Sequence, residues 1–246
     1  MPANFIPITN DIMKEMMRRG ISRDQLLSTL QTMGQEFPSA SRDMLQWAQQ
    51  QQLDVKVLSD CNSVFITYML AGARCADLVE EVITNPAGFE ACSLPAEDDL
   101  ALGLGCSSSR CSGSSSSSSS DEGVSVNPLS STSRRFHLSI KPRHAKSFAC
   151  GLCPANLCKG HEVARIMGQH LYDRVVYAGD GANDVCPALQ LRANDVLLVR
   201  VGHGLAAYLA AAAADTSMRQ VQASVYYWDS HEQLASLVQQ HAGKGV

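Results

Sequence analysis

No stretch of this sequence is apolar for long enough to cross a bilayer. The longest such run, around 205–214, is Ala-rich and falls short of the roughly 20 residues a membrane helix needs. There is no excess of basic charge either. Twenty Lys+Arg stand against 24 Asp+Glu, a formal net charge of −4, so no basic field points to a nucleic-acid partner. Met1-Pro2-Ala3-Asn4 opens without the charged region and apolar run of a signal peptide. Cysteine is not scarce, but its count is odd at nine, and several sit in apolar or helical contexts. That argues against a disulfide framework and for reduced thiols in a cytosolic or organellar protein, cytoplasmic being the preferred reading.

What is there reads as α/β. Residues 10–52 have helical periodicity throughout: Ile12, Met13, Met16 and Met17 share one face, and Ser22 with Gln25 makes a capping box ahead of Leu26, Leu27, Leu30 and Met33. Pro38 and Ser39 break that run before Met44, Leu45, Trp47 and Ala48 begin another amphipathic segment. From Leu53 onward, short apolar runs alternate with helical periods. Strands are expected at 55–58, 78–84, 136–140, 175–178, 196–199 and 224–228. Helices are expected at 63–71, 159–171, 185–192, 204–214 and 231–240. Such alternation implies a mostly parallel sheet with helices on both faces. The serine-rich tract at 96–133, with an unbroken run from Ser114 to Ser120, has too little apolar content to offset its ordering entropy and reads as a disordered insertion.

The most specific stretch is Arg174-Val-Val-Tyr-Ala-Gly-Asp-Gly-Ala-Asn-Asp-Val-Cys-Pro187. An apolar strand ends in Gly179-Asp180-Gly181, and Asn183-Asp184 opens the next helix. Carboxylates at the C-terminal end of a parallel strand lie where open α/β sheets bind ligands, and hard oxygen donors suit Mg²⁺. The plainer alternative is a tight strand-to-helix turn with Asp184 as a helix-start residue.

This stretch resembles the fourth motif, G-D-G-x-N-D-x-C-P, of haloacid-dehalogenase (HAD) phosphatases of the phosphoethanolamine/phosphocholine phosphatase type, which include plant phosphate-starvation-induced relatives. The resemblance extends through Leu58-Ser59-Asp60-Cys61-Asn62, Thr84-Asn85-Pro86-Ala87-Gly88 and Cys150-Gly-Leu-Cys-Pro-Ala-Asn-Leu-Cys-Lys159, in the family's order, over about 10–95 and 134–241. It implies a HAD-like Rossmannoid parallel sheet plus the remnant of a helical cap at 1–50, with the core at 51–246. Ser59 matches the hydroxyl that binds the transferring phosphoryl group, and Asn62 lies beside it as a substrate-binding candidate. Lys159 matches the lysine that offsets charge on phosphate and nucleophile. Asp180 matches the Mg²⁺ ligand, and Asp184 the second acid, reaching the metal through water or holding the lysine. Arg200 matches a substrate-contacting arginine, although Val199 stands where the family usually has proline and a surface role is at least as good. The implied substrate is a small phosphorylated metabolite: phosphoethanolamine, phosphocholine, pyridoxal phosphate, thiamine phosphate or pyrophosphate.

A second constellation, Cys150-x-x-Cys153-x4-Cys158-x-x-His161, has ligand types suited to zinc. The family pattern gives these cysteines a structural reason to be present, no second C-x-x-C completes a ribbon, and no stoichiometric zinc is expected.

What the resemblance requires and the chain lacks is D-x-D-x-T, whose first Asp attacks phosphorus and whose second is acid/base for the leaving group. Glu97-Asp98-Asp99 enters the serine tract, and Asp60-Cys61-Asn62-Ser63 matches the second motif better. The expectation is an N-terminally incomplete phosphatase without its first, central strand, inactive and poorly folded as it stands. The alternative is a catalytically inactive pseudoenzyme or a thiol/zinc-binding module.

Overall fold

A computed structural model describes residues 4–91, 136–146, 148 and 150–243. The serine-rich tract expected at 96–133 lies outside the described residues.

Three helices open the chain: α1 (Ile6–Arg18), α2 (Arg23–Gln35) and α3 (Ser39–Gln50). The capping box forms, with Ser22 Oγ accepting from Gln25 N at 3.1 Å and Gln25 Oε1 accepting from Ser22 N at 2.8 Å. Leu26, Leu27 and Leu30 are buried, but Met33 and Ile12 point outward and are half exposed. Periodicity thus located the faces and overestimated their width. Beyond them come β1 (Lys56–Asn62), α4 (Ser63–Gly72), a 3₁₀ turn (Ala76–Leu78), β2 (Glu81–Asn85), β3 (Ala87–Ala91) and β4 (Phe136–Ile140). The expected strand at 78–84 therefore starts three residues late. The hairpin-like partner β3, antiparallel to β4, was not expected because Pro86-Ala87-Gly88 reads as a turn. Met13, Leu26, Leu27, Leu30, Leu138 and Ile140 make one core shared by α1, α2 and β4. The edge of β4 is satisfied by a side chain: Asn10 donates to Ile140 O at 2.9 Å and accepts from Ile140 N at 2.8 Å.

The second half runs α5 (Lys159–Gln169), β5 (Val176–Gly179), a 3₁₀ turn (Ala182–Asp184), α6 (Val185–Ala188), β6 (Val196–Arg200), α7 (Gly204–Ala214), β7 (Ser224–Trp228) and α8 (His231–Ala242). β5, β6 and β7 form a parallel sheet with β6 in the middle. Strand alternation sorts β6 onto two cores. Leu197 and Val199 pack with Val163, Val185 and Leu205 from α5, α6 and α7, while Val196 and Leu198 pack with Trp228 and Leu234 beside α8. Helices thus cover both faces, as expected. Asp195, fully buried, pins the strand starts by accepting from Val175 N at 2.9 Å and Arg192 N at 2.7 Å.

The parallel strands fall into two sheets. Among the described residues β1 pairs with β2 alone, in parallel, and β5 begins a separate three-stranded sheet. The two lie side by side: Leu58 packs into the β6 core, Tyr172 OH donates to Asp54 at 2.8 Å, and Arg165 on α5 reaches Glu81 on β2 at 3.1 Å. Among the described residues no strand joins β1 to β5, so each has an edge of unpaired backbone groups.

Candidate active site

The loops following β1, β5 and β6 meet at the C-terminal ends of the parallel strands. At the centre is a buried ion pair. Lys159, first residue of α5, places Nζ 2.8 Å from Asp184 Oδ1, with side chains 9% and 5% exposed. Tyr177 OH donates to the same oxygen at 2.8 Å, and the amides of Asp180 and Gly181 donate to Oδ2 at 3.0 and 2.9 Å. Burial pushes the Asp184 carboxyl up, but the Lys159 ammonium, Tyr177 hydroxyl and Gly181 amide outweigh it and hold it below the usual carboxylate range. Both Asp184 oxygens are thus engaged by donors, one of them the Lys159 ammonium. Gly179 makes this packing possible, since a Cβ there would lie 2.8 Å from the Asp184 Cβ.

Asp180 is different. Its side chain is half exposed, with His203 Nδ1 3.7 Å from Oδ2, and its carbonyl accepts from Leu205 N at the start of α7. Asp60, on β1, reaches the same loop: one oxygen accepts from the Asn183 side chain, while Oδ1 is buried with no hydrogen-bond partner. One half-exposed carboxylate and one unsatisfied buried carboxylate oxygen are hard donors of the kind a small divalent cation takes. His203 was not legible beforehand, because it belongs to no local motif with a spacing rule; Asp60 lies in the second motif, but that its Oδ1 is left without a partner depends on the fold.

Ser59 Oγ accepts from Cys61 N at 3.2 Å, bracing the irregular end of β1, where the pairing register shifts between Leu58 and Asn62. Asn62 is the N-cap of α4, accepting from Phe65 N at 3.0 Å. Asn62, Asp60 and Asn183 line a cavity of about 400 Å³ whose walls include Phe5, Ile6, Phe65 and Ile140. Ser59, Lys159, Asp180 and Arg200 are not among its lining residues. Arg200 lies over the Trp228 ring, 5.3 Å from its centroid. Its cation is placed by that stacking, and no contact ties it to Lys159 or Asp180.

Two buried polar hubs hold these loops. Asn85 donates to Asp60 O and Cys61 O at 2.8 and 2.9 Å and accepts from Arg143 N at 3.1 Å. Glu162, one turn into α5, meets His144 Nε2 and Arg165 Nε at 2.8 Å and Arg143 at 3.3 Å. His144 Nδ1 accepts the Cys158 amide at 3.1 Å, which leaves its hydrogen on Nε2, facing Glu162. Burial raises the Glu162 carboxyl, but Arg165, His144 and Arg143 outweigh it and hold it at about 2. A depressed value means the stabilisation is complete above the ordinary 4.5 and is lost as pH falls from there toward 2. The stability gap between wild type and Glu162→Gln should therefore narrow as melts are run at successively lower pH through that window. A gap independent of pH would mean that Glu162 is not ionised in the fold.

Fold and site together define a phosphatase of the HAD type. The chain belongs to the family described as "Putative Phosphatase", whose model matches residues 2–94 and 115–242. It is 28% identical over 235 residues to pyridoxal phosphate phosphatase PHOSPHO2 of Mus musculus, covering 93% of this chain and 77% of that protein. It is 27% identical over 198 residues to a thiamine phosphate phosphatase-like protein of Arabidopsis thaliana, covering 79% and 64%. A phosphoethanolamine/phosphocholine phosphatase of Gallus gallus is 32% identical over 119 residues, covering 46% and 43%. No solved structure matches significantly. By family, the chain is a phosphoric monoester hydrolase.

Proposed function

We propose that these residues form the phosphate- and metal-binding part of a Mg²⁺-dependent phosphomonoesterase acting through an aspartyl-phosphate, with the nucleophile in the gap between β1 and β5. The observation that carries this is the Lys159–Asp184 pair, 2.8 Å apart and buried at the strand ends. An ammonium has three donors. Asp184 engages one and fixes the direction of the others, so Lys159 can meet phosphoryl oxygens without reorganising. Ser59, in the irregular stretch of β1, supplies a hydroxyl to the same group. Asp180 would hold Mg²⁺, with the unpartnered Asp60 Oδ1 as a further candidate donor; the ion would supply charge neutralisation on the phosphoryl oxygens. Asp184 serves that ion only indirectly, by orienting Lys159 and the Asp180 backbone.

The substrate is a small phosphorylated metabolite: pyridoxal phosphate, thiamine phosphate, phosphoethanolamine or phosphocholine, for which relatives are named, or pyrophosphate. The cavity's apolar wall and its polar Asp60 and Asn183 suit a small organic phosphate with one polar or cationic end. α1 and its N-cap contribute Ile6, Thr9 and Phe5 to that wall, which supports a cap role for α1, whereas α3 packs on α8. No helix among the described residues is long and apolar enough to cross a membrane. The six described cysteines are free, which fits the cytoplasm.

The test is phosphate release from that substrate panel by a protein bearing a D-x-D-x-T strand, with and without Mg²⁺. Asp180→Asn should lower kcat about a hundredfold or more. Metal-independent turnover that survives Asp180→Asn would refute the metal assignment.

A further inference from the structure

Beside the Lys159–Asp184 pair lies a cluster that phosphate chemistry does not use. Cys150, Cys153 and Cys158 come from the loop entering α5, and Cys186 from α6, two residues past Asp184. Their four Sγ atoms all lie within 4.8 Å of one another. A zinc ion bound tetrahedrally by thiolates at about 2.3 Å sets its sulfurs about 3.8 Å apart. Cys158 Sγ is 3.7 Å from Cys150 Sγ and 3.9 Å from Cys186 Sγ, so two edges of that tetrahedron already have the right length. We infer that the chain holds one Zn²⁺ ion in a four-cysteine site built from Cys150, Cys153, Cys158 and Cys186.

Independent features agree. The Cys153 amide donates to Cys150 Sγ at 3.3 Å, the kind of bond that stabilises a thiolate. Residue 160 is glycine where α5 meets α6, and a Cβ there would come within 2.4 Å of Cys186 Sγ, so the backbone gives way at the point the fourth sulfur needs. Cys153, Cys158 and Cys186 are buried and Cys150 is partly exposed, and four protein sulfurs fill a tetrahedral set with no open position for water or substrate. That makes the site structural rather than catalytic. His161, the fourth ligand suggested by spacing along the chain, is elsewhere: its ring stacks on Phe148, centroids 4.1 Å apart. The expectation of no zinc rested on a set of ligands the fold does not assemble.

The consequence reaches the active site. Cys158 immediately precedes Lys159, and Cys186 follows Asp184 by two residues. A metal joining them ties the lysine to the acid that orients it.

The experiment is elemental analysis of the reduced 246-residue chain purified from zinc-supplemented medium, with cobalt substitution as a second readout. About one zinc per chain is expected, with Co²⁺ giving thiolate charge-transfer and tetrahedral visible bands. Cys186→Ser should abolish both, while His161→Ala and the exposed Cys61→Ser retain them. Should Cys186→Ser fail to fold, thiol-specific mercurial titration of wild type decides. Zinc release that tracks modification of the cluster's thiols supports the site. Protein without zinc, a disulfide within the cluster, or zinc kept in Cys186→Ser and lost in His161→Ala would each overturn it.

Discussion

Asp184→Ala is expected to lower the melting temperature by on the order of 10 °C, and removing Lys159 as well should recover part of the loss. The carboxylate accepts from Lys159 Nζ, Tyr177 OH and the amides of Asp180 and Gly181, all at 2.8–3.0 Å. Alanine leaves all four donors without it, and one is an ammonium only 9% exposed. Breaking a buried pair by removing one partner costs about 3–5 kcal/mol, chiefly because the other charge is stranded. Lys159→Met removes that charge while keeping the stem's packing, so Asp184→Ala/Lys159→Met should melt above Asp184→Ala alone. Thermal melts of the two single variants and the double variant check this. A double variant no more stable than Asp184→Ala would show that the lost amide and Tyr177 bonds dominate, not the lysine.

The same pair shows what could be read from the sequence and what could not. Lys159 and Asp184 are 25 positions apart, yet the strand, glycine turn and helix that bring them together are each encoded locally. Val176–Gly179 is apolar, Gly179 admits the Asp184 side chain, and Lys159 starts an amphipathic helix. The alternation of β6 between two cores follows from Val196–Val199 being apolar at every position, as in a strand covered on both faces. Cys186 was invisible as a partner of Cys150, Cys153 and Cys158 because spacing rules see ligands within one loop, and Cys186 arrives from another element. Asn85 was visible only as part of a motif. Its role as a buried hub depends on three loops converging, which no local pattern encodes. Arg200 was legible as a strand-end cation, but its orientation is set by Trp228 on the neighbouring strand, a pairing fixed by sheet register.

Placing a strand that ends in D-x-D-x-T ahead of α1 is expected to raise p-nitrophenyl phosphate hydrolysis with Mg²⁺ by several orders of magnitude and to raise the melting temperature. The catalytic half follows from chemistry. On the proposed reading Ser59 and Lys159 bind phosphate and Asp180 a cation, and none of the three is the nucleophile that forms an aspartyl-phosphate. Loss of the nucleophile in a covalent mechanism costs on the order of a million-fold in the best-studied hydrolase. The structural half follows from the divided sheet. Among the described residues β1 and β5 each lack a partner on one side, although Leu58, Asp54 and Asp60 already hold the two sheets together. A strand of roughly five residues would pair both edges and place its C-terminal carboxylates between Ser59 and Asp180. An N-x-N-x-T version separates the two effects: it should raise the melting temperature like the D-x-D-x-T strand and leave hydrolysis at background. If instead the 246 residues alone turn over substrate and Asp180→Asn abolishes it, the nucleophile lies within the chain. Asp60, with its buried and unpartnered Oδ1, is then the carboxylate to replace first.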